Sequence, residues 1–491
     1  MGKDRPRRRA EGGGLSANLY GLFAAAAKAA GDRPAFIAGG EVRLLYSELD
    51  GSVAAWAAAL ARLGARPGDR ILVQAEKSVD SALLYLAALR AGLVYVPLNT
   101  AYTPAEIGYF IADAEPAIIV AEGHLSLDDV APESEDFETV PRGPDDVAAI
   151  LYTSGTTGRS KGAMLSHDNL ASNALVLKDA WRWRDGDVLI HALPIYHVHG
   201  LFVALHGALL NGSTMLWHQG FDADAVIADL GSATILMGVP THYVRLAAHP
   251  GLTRDAAADM RLFVSGSAPL LEATFAEFES KTGHRILERY GMTEAGMICS
   301  NPYEGERIPG TVGFPLPGIS ARVADEHGRE LARGEPGVLE ISGPNLFKGY
   351  WRQPEKTAEE MRPDGFFVTG DIATMDEAGR VAIVGRAKDL IIAGGLNIYP
   401  KEIELVLDAV PGVAESAVIG VPHPDLGEAA VAVVVRSDPA LEEAAVLAGV
   451  TDLARFKQPR RILFAGALPR NAMGKVQKAA LRERYKDLFS A

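Results

Sequence analysis

The 491 residues include one cysteine, Cys299. A single thiol excludes an intramolecular disulfide and any multi-thiolate metal site. That fits a reducing compartment, and a cytoplasmic location is expected. Cys299 itself reads as a small buried side chain. Long apolar runs are also missing. None reaches the roughly 18 to 20 residues that a membrane helix needs, so no integral membrane segment is expected. Positive charge is in deficit: 48 Lys and Arg stand against 62 Asp and Glu, a formal net charge of -14. Nothing in that balance attracts nucleic acid or an anionic bilayer as a whole, so neither is an expected partner, and an anionic substrate must be held by local groups. The opening "MGKDRPRRRAEGGG" is basic, but no apolar core follows it. That argues against a secretory signal, and residues 1–14 read as a disordered tail.

What is present is an ordinary globular composition, 48% hydrophobic and 22% charged, in a chain long enough for two or more domains. From about residue 15 to 145, alanine-rich helical stretches alternate with short apolar runs such as "RILVQAEK" and "AIIVAE", the pattern of α/β layers with buried, mostly parallel strands. "SALLYLAALRAG" predicts a helix that stops at Gly92. The acidic stretch from Ser126 to Asp146 lacks periodicity and reads as a surface connection. The alternation resumes from "VAAILYTSG" to about residue 320, with strand-to-loop transitions at "DVLIHALP", "ATILMGVP" and "RLFVSGSAPL". Ligands of open α/β sheets gather where such strands end. Beyond residue 320 short β-rich segments take over, with hairpin turns predicted at Glu326-His327-Gly328 and Glu377-Ala378-Gly379. A boundary is placed at residues 385–389, and a smaller helix-and-strand unit follows.

"LYTSGTTGRSKGAMLSH" supplies three glycines, several hydroxyls and a lysine after an apolar run. Successive N–H groups in such a loop form an anion-binding nest, and hydroxyls with a lysine add donors. It is not a Walker loop, because Lys161 is followed by Gly162. Downstream, in order, stand "RYGMTE", "TGD", "GRAKDLI" and "NAMGK". Each alone is common. Together and in this order they resemble the signatures of the adenylate-forming superfamily, over nearly the whole chain after residue 15.

That resemblance implies an α/β fold with a large multi-layer N-terminal domain over residues 15–385, made of two α/β subdomains and a small β-rich one. A hinge at residues 386–389 and a small mobile α+β C-terminal domain at 390–491 would follow. It further implies ATP, Mg²⁺ and coenzyme A as cofactor and co-substrates. Thr153, Ser154, Gly155, Thr156, Thr157, Gly158 and Lys161 would hold the β- and γ-phosphates. Glu294 would be the Mg²⁺ ligand, with Thr293 beside it at the α-phosphate. Gly266, Ser267, Ala268 and the stretch Glu288, Arg289, Tyr290, Gly291 fall where the family holds adenine. Asp371 matches the ribose-binding carboxylate, and Arg386 a second ribose or phosphate contact. Lys475 resembles the lysine that stabilises charge on the reacting carboxylate and α-phosphate. Lys475, Glu294 and Thr153 are therefore the expected catalytic set. Lys388 sits at the hinge position, and Gly394 and Gly395 match the pantetheine tunnel, where a missing Cβ permits close approach.

Within the superfamily the wording resembles malonyl-CoA synthetases: "HALPIYHVHGLF", "MGVPTHY" and "LERYGMTE" carry the likeness. A short dicarboxylate brings a distal charge into a closed site, and an arginine fork answers it. In "GVPTHYVRL", Pro240 opens a helix, and Thr241 and Arg245 share a face one turn apart. The resemblance puts Arg245 and Ser267 on the distal carboxylate, with His197, Val198 and Met297 around the acyl group. Val198 stands where some relatives have Thr, and Ala295-Gly296 where bulkier residues are expected. Both departures alter the room beside C2 of the acid, so methylmalonate or another small acid is the alternative substrate. His197 and His199 at i, i+2 make a poor zinc pattern. Phosphotransfer releasing ADP, a non-enzymatic scaffold and a carrier-loading domain are the competing function classes. Oligomeric state is not legible, and a monomer is the default.

Overall fold

The computed structural model describes residues 16–130, 132, 136–153, 160–393, 396–424, 426–451, 453–471 and 474–489. The N-terminal tail, the loop tip at Ser154, Gly155, Thr156, Thr157 and Gly158, and the glycine pair Gly394 and Gly395 lie outside the described residues. The chain divides into two compact units: residues 1–221 with 293–296 and 344–354, and residues 222–292 with 297–343 and 355–491.

The first unit contains a five-stranded sheet in the order Ile118–Val120, Arg70–Val73, Val94–Pro97, Val147–Thr153, Lys161–Ser166. The first four strands pair in parallel; the last turns back antiparallel. Leu72, Val94, Val96 and Ile150 pack with Ile107 and Phe110 of the helix Pro104–Ala114. These are the short apolar runs of the sequence, and burial of each such side chain contributes roughly 1.5–3 kcal/mol. The predicted helix ending at Gly92 spans Val79–Arg90. Ser78 caps its N-terminus by accepting from Ser81 N, and Gly92 adopts a left-handed φ of 69° just beyond its end. A second run in this unit orders Val188–His191, Thr214–Trp217, Pro34–Ala38 and Glu41–Leu45. Its last pair alone is antiparallel.

In the second unit Ile235–Gly238, Leu262–Ser265 and Leu287–Met292 run parallel. Residues 320–386 form a four-stranded antiparallel sheet, Ser320–Ala324, Gly337–Ser342, Phe367–Met375 and Val381–Arg386. Both predicted turns are there: Gly328 N donates to Asp325 O and Gly379 N to Asp376 O. The C-terminal segment builds its own sheet around Val413–His423 and Gly427–Arg436. Along these strands the side chains alternate between two faces. Val418, Ala432 and Val434 pack toward Ile403 and Leu407, whereas Ile419, Val431 and Val433 pack toward Leu468 and Leu481. Both faces are thereby covered, which explains why "AVAVVV" reads as an unbroken apolar run. The expected α/β class, with parallel layers first, an antiparallel β-rich segment next and an α+β end, is the architecture found. Among the described residues no helix is long and apolar enough to cross a membrane. Cys299 is buried, and burial pushes its thiol up.

Candidate active site

In the first unit, Thr153 closes one strand and Lys161 opens the next, as direct register partners. The two residues thus hold the base of the Gly/Ser/Thr loop. Lys161 is buried, and its Nζ lies 4.6 Å from the centre of the Tyr350 ring. Tyr350 OH donates to Glu294 Oε1 at 3.0 Å. Glu294 is buried too, and its carbonyl accepts from Phe347 N at 2.8 Å. One tyrosine therefore connects the loop lysine with the "TE" carboxylate. Sequence reasoning missed Tyr350, because "FKGYW" carries no signal that separates a functional tyrosine from a core aromatic. Among the described residues there is no cluster of three His, Cys, Asp or Glu able to cage a metal. A buried single carboxylate fits Mg²⁺, which dehydrates reluctantly and is commonly held by one or two carboxylates together with substrate phosphates. The zinc reading of His197 and His199 gains nothing.

Gly296 has a structural reason of its own. Its φ is +56°, and a Cβ there would sit 2.5 Å from Asn173 Oδ1. The glycine is required by that contact and by its left-handed backbone. Ala295 is fully buried, and its carbonyl accepts from Asn345 Nδ2 at 2.6 Å.

In the second unit, Asp371 and Arg386 face each other across two antiparallel strands, with Arg386 Nε 2.7 Å from Asp371 Oδ1. Asp371 is 2% exposed, and its other oxygen accepts a short hydrogen bond from Tyr290 OH. Tyr290 is held neutral: burial first, then the charge of Asp371, pushes its phenol well up. Three residues from separate motifs, "RYGMTE", "TGD" and "GRAKDLI", are brought together here.

Strand Leu287–Met292 also carries Glu288 and Arg289. Burial raises the Glu288 carboxyl to about 8, against backbone N–H donation from Gly310 and Leu270. Arg289 is 4% exposed, and its Nε and Nη2 have no hydrogen-bond partner among the described residues. Its guanidinium lies directly against the backbone of Gly266: a Cβ there would be 2.4 Å from Arg289 Cζ. The next residue, Ser267, holds φ at 72°, a strained value for a residue with a Cβ. Just before the turn Ser265 Oγ is buried, also without a partner among the described residues. Burial lowers the Arg289 guanidinium to about 9, which still leaves it charged at neutral pH. A fixed cation with unmatched donors, beneath a strained turn at a strand end, is a site built for an anion.

Pro240 starts the helix Pro240–Ala248 as predicted, with Thr241 and Arg245 one turn apart. Arg245 is exposed. The loop bearing Lys475 approaches this helix: a Cβ on Gly474 would lie 3.4 Å from Thr241 Oγ1. Lys475 is exposed, and its backbone N donates to Asn471 Oδ1 at 3.0 Å. Lys388 lies in a tight turn, Ala387–Asp389, whose Asp389 is paired with Arg482 at 2.7 Å. Met297, His197 and Val198 are at least half-buried, Met297 and Val198 almost completely.

A profile described as AMP-binding enzyme matches residues 23–351, and one described as AMP-binding enzyme C-terminal domain matches residues 402–475. The chain is 37% identical to a feruloyl-CoA synthase of an Amycolatopsis species, covering 91% of this chain and 95% of that protein. It is 34% identical to a malonate–CoA ligase of Arabidopsis thaliana, over 86% and 78% of the two chains. Among solved structures it is similar to ATP-bound MatB from Rhodopseudomonas palustris, with 53% identity, TM-score 0.93, and coverage of 97% of this chain and 100% of that one. Enzymes of this kind use ATP with Mg²⁺ and coenzyme A. The chain belongs to the AMP-binding enzyme family, within the adenylate-forming superfamily, and is an acyl-CoA ligase of the AMP-forming type.

Proposed function

We propose that this ligase acts on malonate, joining it to coenzyme A through a malonyl-adenylate and releasing AMP and pyrophosphate. A carboxylate is a poor electrophile until its oxygen is turned into a leaving group, and transfer to the α-phosphorus of ATP does that. The observation that carries the choice of acid is Arg289, a buried guanidinium with two unmatched donors against Gly266. An aryl acid such as ferulate offers an apolar body and leaves that charge unanswered. A dicarboxylate answers it with a bidentate, charge-assisted pair. Ser267, on the adjoining strained turn, supplies a hydroxyl, and Arg245 a second cation. Arg289 is thus reassigned from the nucleotide to the acid.

The remaining roles follow the same chemistry. Thr153, Lys161 and the loop between them hold the outer phosphates. Glu294, oriented by Tyr350, is the carboxylate for Mg²⁺, whose charge when bound neutralises the phosphate oxygens. Asp371, fixed by Tyr290 and Arg386, accepts from the ribose hydroxyls. Lys475 meets the charge that builds on the attacking carboxylate. Residues 386–389 serve as the hinge of the segment 390–491, which bears Lys475 and, in turn, the glycine pair that lines the thiol's path. Val198 in the acyl wall favours methylmalonate as the second reading, because it keeps an apolar surface where some relatives place a hydroxyl.

Incubation with Mg-ATP, coenzyme A and, separately, malonate, methylmalonate, succinate, acetate and ferulate tests the proposal. Phosphorus NMR should find AMP and pyrophosphate, with malonate the preferred acid. ADP as product would refute the mechanism, and preference for ferulate would refute the acid.

A further inference from the structure

Lys77 is almost fully buried, and no carboxylate pairs with it among the described residues; its position makes sense only through what it touches. Its Nζ donates to His191 Nδ1 at 2.8 Å and to the His191 carbonyl at 2.6 Å. It also lies 4.3 Å from the centre of the Trp217 ring. Its N–H bonds are thus met by two lone pairs and a π face, while burial pulls the basicity of the amine well below its ordinary value. On its far side, His191 Nε2 donates to the carbonyl of Gly200 at 3.0 Å. Burial, then the neighbouring lysine, pushes the His191 imidazole well down and keeps it neutral. A neutral ring accepting at Nδ1 must carry its proton on Nε2, so the lysine selects the tautomer that binds Gly200.

Gly200 lies in the π-helical turn His199–Leu205, and Leu201 N donates to the carbonyl of His197 at 2.9 Å. Wide turns of this kind are short, uncommon and frequent at functional sites. The residues just ahead of it, His197 and Val198, are those assigned above to the acyl wall. We propose that Lys77 is a positioning residue for the acid-binding wall, acting through the ring of His191 on the Gly200 carbonyl. The inference rests on that assignment of His197 and Val198. Lys77 reaches this post from outside: together with Arg43, Trp56, Asp80 and Trp217 it lines a cavity of about 870 Å³. The cavity leaves room for a small amine to enter in its place.

The test uses the full-length enzyme and the acid that the wild type turns over best, so failure of the malonate assignment appears in the wild type and failure of the relay in the variant. Lys77→Ala should raise the KM for the acid by about tenfold, the equivalent of losing roughly one hydrogen bond, with the KM for ATP little changed. Propylamine, which replaces the missing stem and its N–H donors, should restore the acid KM, whereas propanol, with a single O–H, should not. An unchanged acid KM, or equal losses toward acid and ATP without rescue, would overturn the proposal. A second readout needs no variant: nitrogen NMR of histidine-labelled wild type should find His191 as the Nε2–H tautomer. The Nδ1–H tautomer would overturn the relay.

Discussion

Arg289 is charged and buried, and two of its three guanidinium nitrogens have no partner among the described residues; a buried ion left unsatisfied costs several kcal/mol. Arg289→Met should therefore melt no lower than the wild type while malonate-dependent pyrophosphate release falls about 100-fold, the loss expected when one partner of a buried charged pair is removed. Calorimetry and a pyrophosphate assay check both halves. A variant that melts lower yet keeps its malonate turnover would contradict the role given to Arg289. Arg289→Lys is not a conservative rescue, because an ammonium cannot reproduce the fork. Glu288 makes a separate prediction. Its carboxyl titrates at about 8 in the folded protein and near 4.5 as a free side chain. The folded state therefore holds an extra proton between those values, and its contribution to stability is complete below about 4.5 and lost as pH rises to about 8. Melting curves of Glu288→Gln should lack the decline that the wild type shows across that window. Equal slopes would mean that Glu288 is ionised in the fold.

At the scale of elements, turns and strand ends do the positioning. The left-handed turn at Gly296 lies against Asn173. Gly296→Ala should destabilise by about 2 kcal/mol, from overpacking and a disfavoured φ together. Adding Asn173→Ala should recover only the packing part, so denaturant melts of the single and double variants separate the two costs. The structural reason for this glycine was not legible in "TEAGM", because the contact that demands it comes from a helix more than a hundred residues earlier in the chain. Local signals were legible because their causes are local. Gly92 stopping, Pro240 at a first turn and the glycines of two hairpins each act within a few residues. Asp371 and Arg386 were legible as neighbours through the resemblance, and their strands pair them directly; Tyr290, expected at the adenine, instead donates to Asp371. Tyr350, the isolation of Arg289 and the Lys77 relay were not legible. Each depends on which side chains long-range pairing brings together, and on which donors it leaves unmatched.

At the scale of the whole molecule the chain must run two reactions with one set of groups. The segment after the turn Ala387–Asp389 bears Lys475 and also Gly394 and Gly395, the residues proposed for the first and second steps. Lys388→Pro, which restricts that turn, should slow one half-reaction far more than the other when adenylate formation and thioester formation are timed separately. Equal slowing would argue against a hinge there. Lys475→Ala should suppress adenylate formation by about 100-fold, in keeping with the loss of an electrostatic stabiliser of the transition state, yet leave thioester formation from supplied malonyl-adenylate largely intact.

The central claim, that the acid's own oxygen attacks the α-phosphorus, is open to a direct isotopic test. Turnover of malonate labelled with oxygen-18 in its carboxylates, with Mg-ATP and coenzyme A, should yield AMP carrying one labelled oxygen beside unlabelled pyrophosphate. Unlabelled AMP, or ADP as the nucleotide product, would contradict it.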